Sequence, residues 1–425
     1  MSSTDASPER ANIPKNTPIP SAPAAPEVAA DGSKEALRLP GGFTIGRDTL
    51  LTTVPIYVAL VVLWIAFDQL TSGAFTSSRN ISDMFQEYSY KPVLALGVVF
   101  VLLLGEIDLS LGYLTLLSIT IAAQFLQFLH ASAFVAILAA LVVCTVAGLI
   151  QGFFVAWVRM PAFVVTLGGF LIFEGISLFI LAGSSIPVSD ATIQGVGSYY
   201  LPTGAGLALA VVAAAAFILY RLNVRRARAR AGLSNPPVAR FALGAVAVAV
   251  LLVGLVLFLN SYQGVPLALV ILAVLAVILW FFARRTPFGR HIYAVGGNLE
   301  ASRRAGINTT AIRWIVFGLT GLMAGIAGIM LAGYGHTASP NAAGPDLLLD
   351  VISIAVIGGV SLTGGRGSVW AVLLGGLVIA SVDSGLNLLG AVDPSVIYMV
   401  KGGILLLAIL IDVVGKSRGG LAIRR

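Results

Sequence analysis

The sequence predicts an all-α polytopic membrane protein with about 12 hydrophobic segments, two of them short and possibly broken helices. Composition is the first reason: 58% of the 425 residues are hydrophobic and 11% charged, at a mean hydropathy of +0.96. Soluble domains run at roughly 45–50% and about 25%. The pattern is the second reason. Long apolar runs such as 205–219 and 266–282 lack the alternating polarity of membrane β-strands, which come in segments of about ten residues. A soluble enzyme, a disordered chain and a coiled coil are thereby excluded. The single cysteine, Cys144, excludes a disulfide framework.

Residues 1–48 differ from the rest. They hold seven of the 19 prolines and no apolar stretch of signal-peptide type. They read as a disordered cytoplasmic tail. A membrane domain over 49–416 and a short cytoplasmic C-terminal tail, 417–425, complete the expected organisation. Within the membrane domain the apolar runs are 50–67, 92–105, 109–129, 133–157, 162–182, 201–220, 241–259, 265–283, 312–333, 347–360, 369–390 and 396–414. A helix needs about 20 residues to cross the hydrocarbon. The runs at 92–105 and 347–360 fall short, and each ends in polar, glycine-rich sequence. Two readings stay open for them: a broken or re-entrant helix, or a tilted helix followed by a tight loop. Small residues four apart, Gly148 with Gly152 and Gly321 with Gly325, are spaced for close helix packing.

Charge gives the expected topology. The tail carries five basic and six acidic residues, so the net +7 arises elsewhere. With the tail inside and twelve crossings, 18 of the 21 other basic residues fall in inner loops or the C-terminal tail. Arg79 and Lys91 fall in outer loops and Lys401 within a helix. This is positive-inside behaviour, so both termini are expected in the cytoplasm. The arginines at 221–230 serve topology or bind anionic headgroups, and the sequence leaves both open.

Catalytic chemistry finds no support. His130, His291 and His336 are far apart, and Gly415-Lys416-Ser417 lacks the earlier glycine of a phosphate-binding loop, with Leu410 in its place. Intramembrane polar groups are better candidates, because they are costly in lipid and face a cavity or a partner. Glu106, Asp108, Glu174, Asp350, Asp383, Asn387 and Gln151 are of this kind. Asp383 and Asn387 share one helical face, as path-lining residues or as bonds between helices.

The loop 284–311 is the most informative segment. Asn298 is suited to cap a short helix, Glu300 lies in its first turn, Arg303 and Arg304 in its last, and Gly306 closes it. So small a helix has too little apolar area to hold a membrane by itself, which favours docking of a cytoplasmic partner.

Three blocks carry a resemblance. Glu300-Ala301-Ser302 followed by Gly306-Ile307 is similar to the coupling motif of ABC-importer permeases. The stretch from Thr286 to Asn308 resembles the sugar-importer branch that serves ribose, xylose and galactose. Gly105-Glu106-Ile107-Asp108-Leu109-Ser110-Leu111-Gly112 resembles a second family block, with Glu106 in place of its usual glycine. Residues 357–368 resemble a third. Residues 185–265 hold two hydrophobic runs beyond the ribose-type pattern, an enlargement that resembles the xylose-type permeases.

The resemblance implies a multi-pass permease subunit of the bacterial inner membrane that moves a monosaccharide, xylose or a related pentose, into the cell. It implies no enzyme and no cofactor on this chain, with ATP used by a separate cytoplasmic ATPase subunit. Further partners would be an extracytoplasmic sugar-binding protein and a second permease copy. Asn298, Glu300, Ala301, Ser302, Arg303, Arg304 and Gly306 would couple to the ATPase. Glu106, Asp108, Ser110, Ser361, Thr363, Asp383 and Asn387 are the expected path residues. The alternatives are an ion-coupled carrier, or a permease of the same family for a nucleoside or furanone signal.

Overall fold

Backbone polar groups in hydrocarbon must be satisfied within the segment, so a chain of apolar runs folds as helices. The computed structural model describes residues 36–39, 43–235, 237–390 and 393–421. The chain divides into two units, residues 1–50 and residues 51–425. In the first, β1 (Ala36–Leu39) pairs antiparallel with β2 (Phe43–Gly46). The expected disordered tail otherwise lies at 1–35 and 40–42, outside the described residues.

Helix α1 (Arg47–Leu70) is followed by α2 (Ser78–Tyr88), α3 (Tyr90–Leu103), α4 (Leu111–Gln127), α5 (Ala133–Ala156) and α6 (Ala162–Leu181). Strand β3 (Ile186–Pro187), α7 (Ala191–Ser198) and β4 (Tyr200–Leu201) lead into α8 (Thr203–Arg230) and α9 (Val238–Asn260). Strand β5 (Val265–Pro266) opens α10 (Leu267–Arg285), and α11 (Pro287–Gly297) and α12 (Leu299–Arg304) precede α13 (Thr309–Gly335). The chain ends with β6 (Thr337–Ala338), α14 (Pro345–Ile357), α15 (Ala371–Leu388) and α16 (Pro394–Leu421).

Every one of the twelve apolar runs lies on a helix. By length and apolar character, seven helices among the described residues are able to cross a membrane: α5, α6, α8, α9, α10, α13 and α15. Shorter apolar stretches occur in α1, α3, α4 and α16, and α14 has 13 residues. The structure therefore supports a multi-helix membrane protein without establishing twelve crossings. Helices α2, α7 and α11 carry no apolar run of membrane length, and the sequence does not predict them. The first two are short and capped by Ser77, which accepts from Asn80 N, and by Asp190, which accepts from Thr192 N. Helix α16 continues through 417–421, across the expected start of the C-terminal tail; residues 422–425 lie outside the described residues.

Helix α13 is the axis of the bundle, with 72% of its most apolar stretch buried against 11% for α9. The glycines four apart explain how α13 comes so near α5. A Cβ on Gly148 would overlap the Phe317 carbonyl, and one on Gly321 would overlap the Cys144 carbonyl. Trp314 Nε1 donates to Leu149 O at 3.0 Å and Ser118 Oγ to Gly325 O at 2.8 Å, which tie α13 to α5 and α4. Within the added stretch at 185–265, α7 packs on α13, whereas α8 and α9 form a peripheral hairpin, α8 packing chiefly on α9.

Two strand pairs, β3 with β6 and β4 with β5, mark one end of the bundle. Helix α10 leaves β5 and runs 19 residues, about 28 Å, before α11 begins. The loop 286–308 therefore lies at the opposite end. The sequence reading of Arg79 and Lys91 as loop residues is corrected. Arg79 lies in α2, and Lys91 is in the first turn of α3, buried among carboxylates. Lys91 carries charge inside the bundle because two acids on other helices neutralise it, which a count of loop charges does not register.

Candidate functional site

The capped helix forms where the residues require it. Thr286 starts α11 by accepting from Gly289 N at 3.1 Å, with Pro287 in the first turn. Asn298 ends α11 and starts α12, its Oδ1 accepting from Ala301 N at 2.9 Å. Gly306 has φ +79°, a region that favours glycine, and Ile307 N closes on Ser302 O at 3.0 Å. Ser302 is buried beneath the turn, whereas Glu300 and Arg304 form an exposed i, i+4 pair at 3.2 Å. Arg303 Nε donates to Thr309 Oγ1 at 3.3 Å and braces the turn against α13.

The three sequence blocks meet beside this element. Helix α3 ends at Leu103, and Gly105 turns the chain with φ +75°. Gly365 N donates to Leu103 O at 2.9 Å, joining the block after α14 to the end of α3. Gly296, at the end of α11, is pressed onto the same carbonyl, and a Cβ there would overlap Leu103 O. Gly364 lies against both Gly296 and Gly105. Tyr293 OH donates to Gly367 O at 3.1 Å. Three backbones thus touch with no side chain between them, which is the physical reason for glycine in all three blocks. Helix α12 is thereby joined through α11 to the end of α3 and to the block that follows α14.

The expected path residues fall into two groups. At the glycine seam, Glu106 pairs with Arg313 of α13. Asp108 Oδ1 accepts from Ser110 N at 2.9 Å and Ser110 Oγ at 2.7 Å, and Ser110 Oγ reaches Gln151 Oε1 at 3.3 Å. Ser361 Oγ and Thr363 Oγ1 lie 2.9 Å apart. Asp383 and Asn387 stand away from these. Twelve residues separate Asp383 from the start of α15 at the seam, about 18 Å of helix.

Asp383 belongs to a buried ion quartet. Lys91 Nζ lies 2.7 Å from Asp350 Oδ2 and 2.5 Å from Asp383 Oδ2, and Lys401 Nζ lies 3.0 Å from Asp350 Oδ2 and 2.6 Å from Asp383 Oδ1. Two positive and two negative groups thus tie α3, α14, α15 and α16. Asn387 donates to Tyr88 OH at 3.0 Å. Both residues make bonds between helices. The sequence offered one clue to the quartet: Lys401 and Asp383 are opposite intramembrane charges in neighbouring apolar segments. Lys91 offered none, since it borders an apolar run as a loop residue would.

Comparison with known proteins agrees with these features. Residues 80–409 match a family described as branched-chain amino acid transport system / permease component. The chain is 38% identical over 361 residues to a xylose transport system permease protein of Haemophilus influenzae, covering 85% of this chain and 96% of that one. It is 36% identical to the Escherichia coli protein of the same description, covering 91% and 98%. It is 31% identical to a ribose import permease protein of Escherichia coli, covering 84% and 92%. No solved structure matches.

Proposed function

The chain belongs to this permease-component family, and from that premise we propose that its substrate is a monosaccharide, xylose or a related pentose. It is a multi-pass inner-membrane permease subunit of an ABC sugar importer, not an enzyme, and it works with an ATPase and a substrate-binding protein. The relatives described as xylose permeases, and the added hairpin α8–α9, support xylose over ribose. In our reading two copies form the pathway, ATP is bound and hydrolysed by the partner subunit, and this chain holds no cofactor. Both termini lie in the cytoplasm, as the arginines in the last turns of α8 and α10 support. All twelve apolar helices then cross, α3 and α14 as short helices completed by the polar blocks that follow them.

One observation carries the mechanism: the capped helix α12 is linked through Gly296 to the end of α3 and to the glycine block that follows α14. We assign Asn298, Glu300, Ala301, Ser302, Arg303, Arg304 and Gly306 to ATPase coupling. Closure of the ATPase dimer would move α12, and the seam would carry that movement into the path. Glu106, Asp108, Ser110, Ser361 and Thr363 are then its inner lining. Asp383 and Asn387 lie farther out, where they hold the wall in place. A neutral sugar suits a path with few free charges, because weak polar contacts let it leave as readily as it enters.

Glu300→Arg is the sharper test of the coupling role. Its pair with Arg304 is exposed, so losing it and placing two arginines at i, i+4 should change stability by only about 1 kcal/mol. Insertion should be normal while ATP-driven uptake falls at least tenfold. Gly306→Trp should do the same, with added strain at a positive φ. Normal uptake and normal co-purification of the ATPase in both variants would remove α12 from the mechanism.

A further inference from the structure

Helix α14 has 13 residues, about 20 Å, and its last turn packs at the seam, where a Cβ on Gly358 would overlap Ala371 O. Its first turn therefore stops about 10 Å short of crossing a hydrocarbon core. Polar groups gather at that level. Tyr113 OH donates to Glu174 Oε1 at 2.8 Å, and its ring meets Phe170 edge to face at 4.6 Å. The same ring lies against Gly344, the residue before α14, where a Cβ would be 3.6 Å from it. Two residues on, Asp346 Oδ2 accepts from Tyr398 OH at 2.8 Å. Glu174 lies 12 residues into α6, about 18 Å from the seam end, so it shares this depth.

Asp346 and Tyr398 are exposed. A carboxylate at this depth is too costly to face lipid, so water or a partner covers it. One turn nearer the seam a second, independent feature points the same way. Gln151 is 4% exposed, and its Nε2 has no hydrogen-bond partner although it is set against Gly169, next to Phe170. A buried, unused donor is costly unless something passes by to accept from it.

Resting on the reading above, we propose that Tyr113, Phe170, Glu174, Asp346, Tyr398 and Gln151 form the sugar-contacting stretch of the path. Each carboxylate holds a tyrosine hydroxyl when the path is empty. A passing pentose exchanges those bonds for its own hydroxyls, while its C–H face rests on the aromatic edge. Bonds exchanged like for like keep binding shallow, which transport of a neutral solute requires. Gln151 takes the sugar next and delivers it toward Ser110 and the seam.

The test uses the complete importer in lipid vesicles, with Glu174→Cys, Tyr398→Cys and, as a lipid-facing reference on α9, Leu251→Cys, which is 67% exposed. The native Cys144 is buried. A water-soluble methanethiosulfonate should label both path cysteines at least tenfold faster than the reference, and D-xylose present during turnover should slow that labelling at least twofold. Separately, Glu174→Gln and Asp346→Asn should each lower ATP-driven xylose uptake at least tenfold. Labelling at the reference rate, or fast labelling that xylose leaves unchanged while the unaltered importer takes up xylose, overturns the inference. So does undiminished uptake in both amide variants. Failure of the functional reading is distinct: unaltered vesicles would accumulate no pentose on ATP, and fast labelling would still support a water-filled path at these residues.

Discussion

Lys91→Met is expected to destabilise the protein by about 3–5 kcal/mol, because it leaves two buried carboxylates facing a single ammonium. Side-chain exposures of 9% for Lys91 and 6% for each aspartate leave little water to replace the lost charge. The strain falls on the packing of α3 against α14 and α15. Removing charge in a matched way should cost less. In Lys91→Met/Asp383→Asn the Lys401–Asp350 pair at 3.0 Å remains and the site is neutral again. Thermal unfolding in detergent should show the single variant melting well below the unaltered protein and the double variant recovering at least half of the loss. A single variant as stable as the unaltered protein would mean that the quartet does not hold these helices.

Gly296→Val is expected to abolish transport while the protein still inserts and binds its ATPase. No side chain fits where Gly296 touches Leu103 O. Helix α11 would have to withdraw, and the bonds from Gly365 N to Leu103 O and from Tyr293 OH to Gly367 O would open. The capped α12 is left intact, since its own bonds run from Asn298 to Ile307. The expected signature is therefore uncoupling, with ATP hydrolysis retained and uptake lost by at least tenfold. Uptake within twofold of the unaltered importer would show that the seam does not carry motion. Gly297 is the matched control: nothing lies within 4 Å of a Cβ there, so Gly297→Ala should transport normally.

These two results also divide what the sequence reveals from what it hides. The helices were legible because hydrocarbon leaves a backbone few choices, so apolar length alone locates them. The α12 helix was legible because its signals are local: Asn298 accepts from a residue three positions on, and Gly306 turns the chain within the same segment. The seam was only half legible. Gly105, Gly296 and Gly364 stand out in their blocks, yet their contact joins positions about 190 and 260 residues from Gly105 along the chain, and no periodicity reports that. Lys91 was hidden for a related reason. A charge next to an apolar run reads as a boundary, and only the fold brings Asp350 and Asp383 to it. Helices α2, α7 and α11 escaped because polar sequence of 8 to 11 residues has no apolar run to mark it.

The most direct test of the whole account is ATP-driven accumulation of D-xylose in vesicles that contain this permease, its ATPase and its binding protein. Accumulation is expected only when ATP is on the side of the α11–α12 loop and sugar-loaded binding protein is on the other, with at least a tenfold loss in Glu300→Arg. Accumulation that persists without ATP, or that follows an imposed proton or sodium gradient instead, would contradict it.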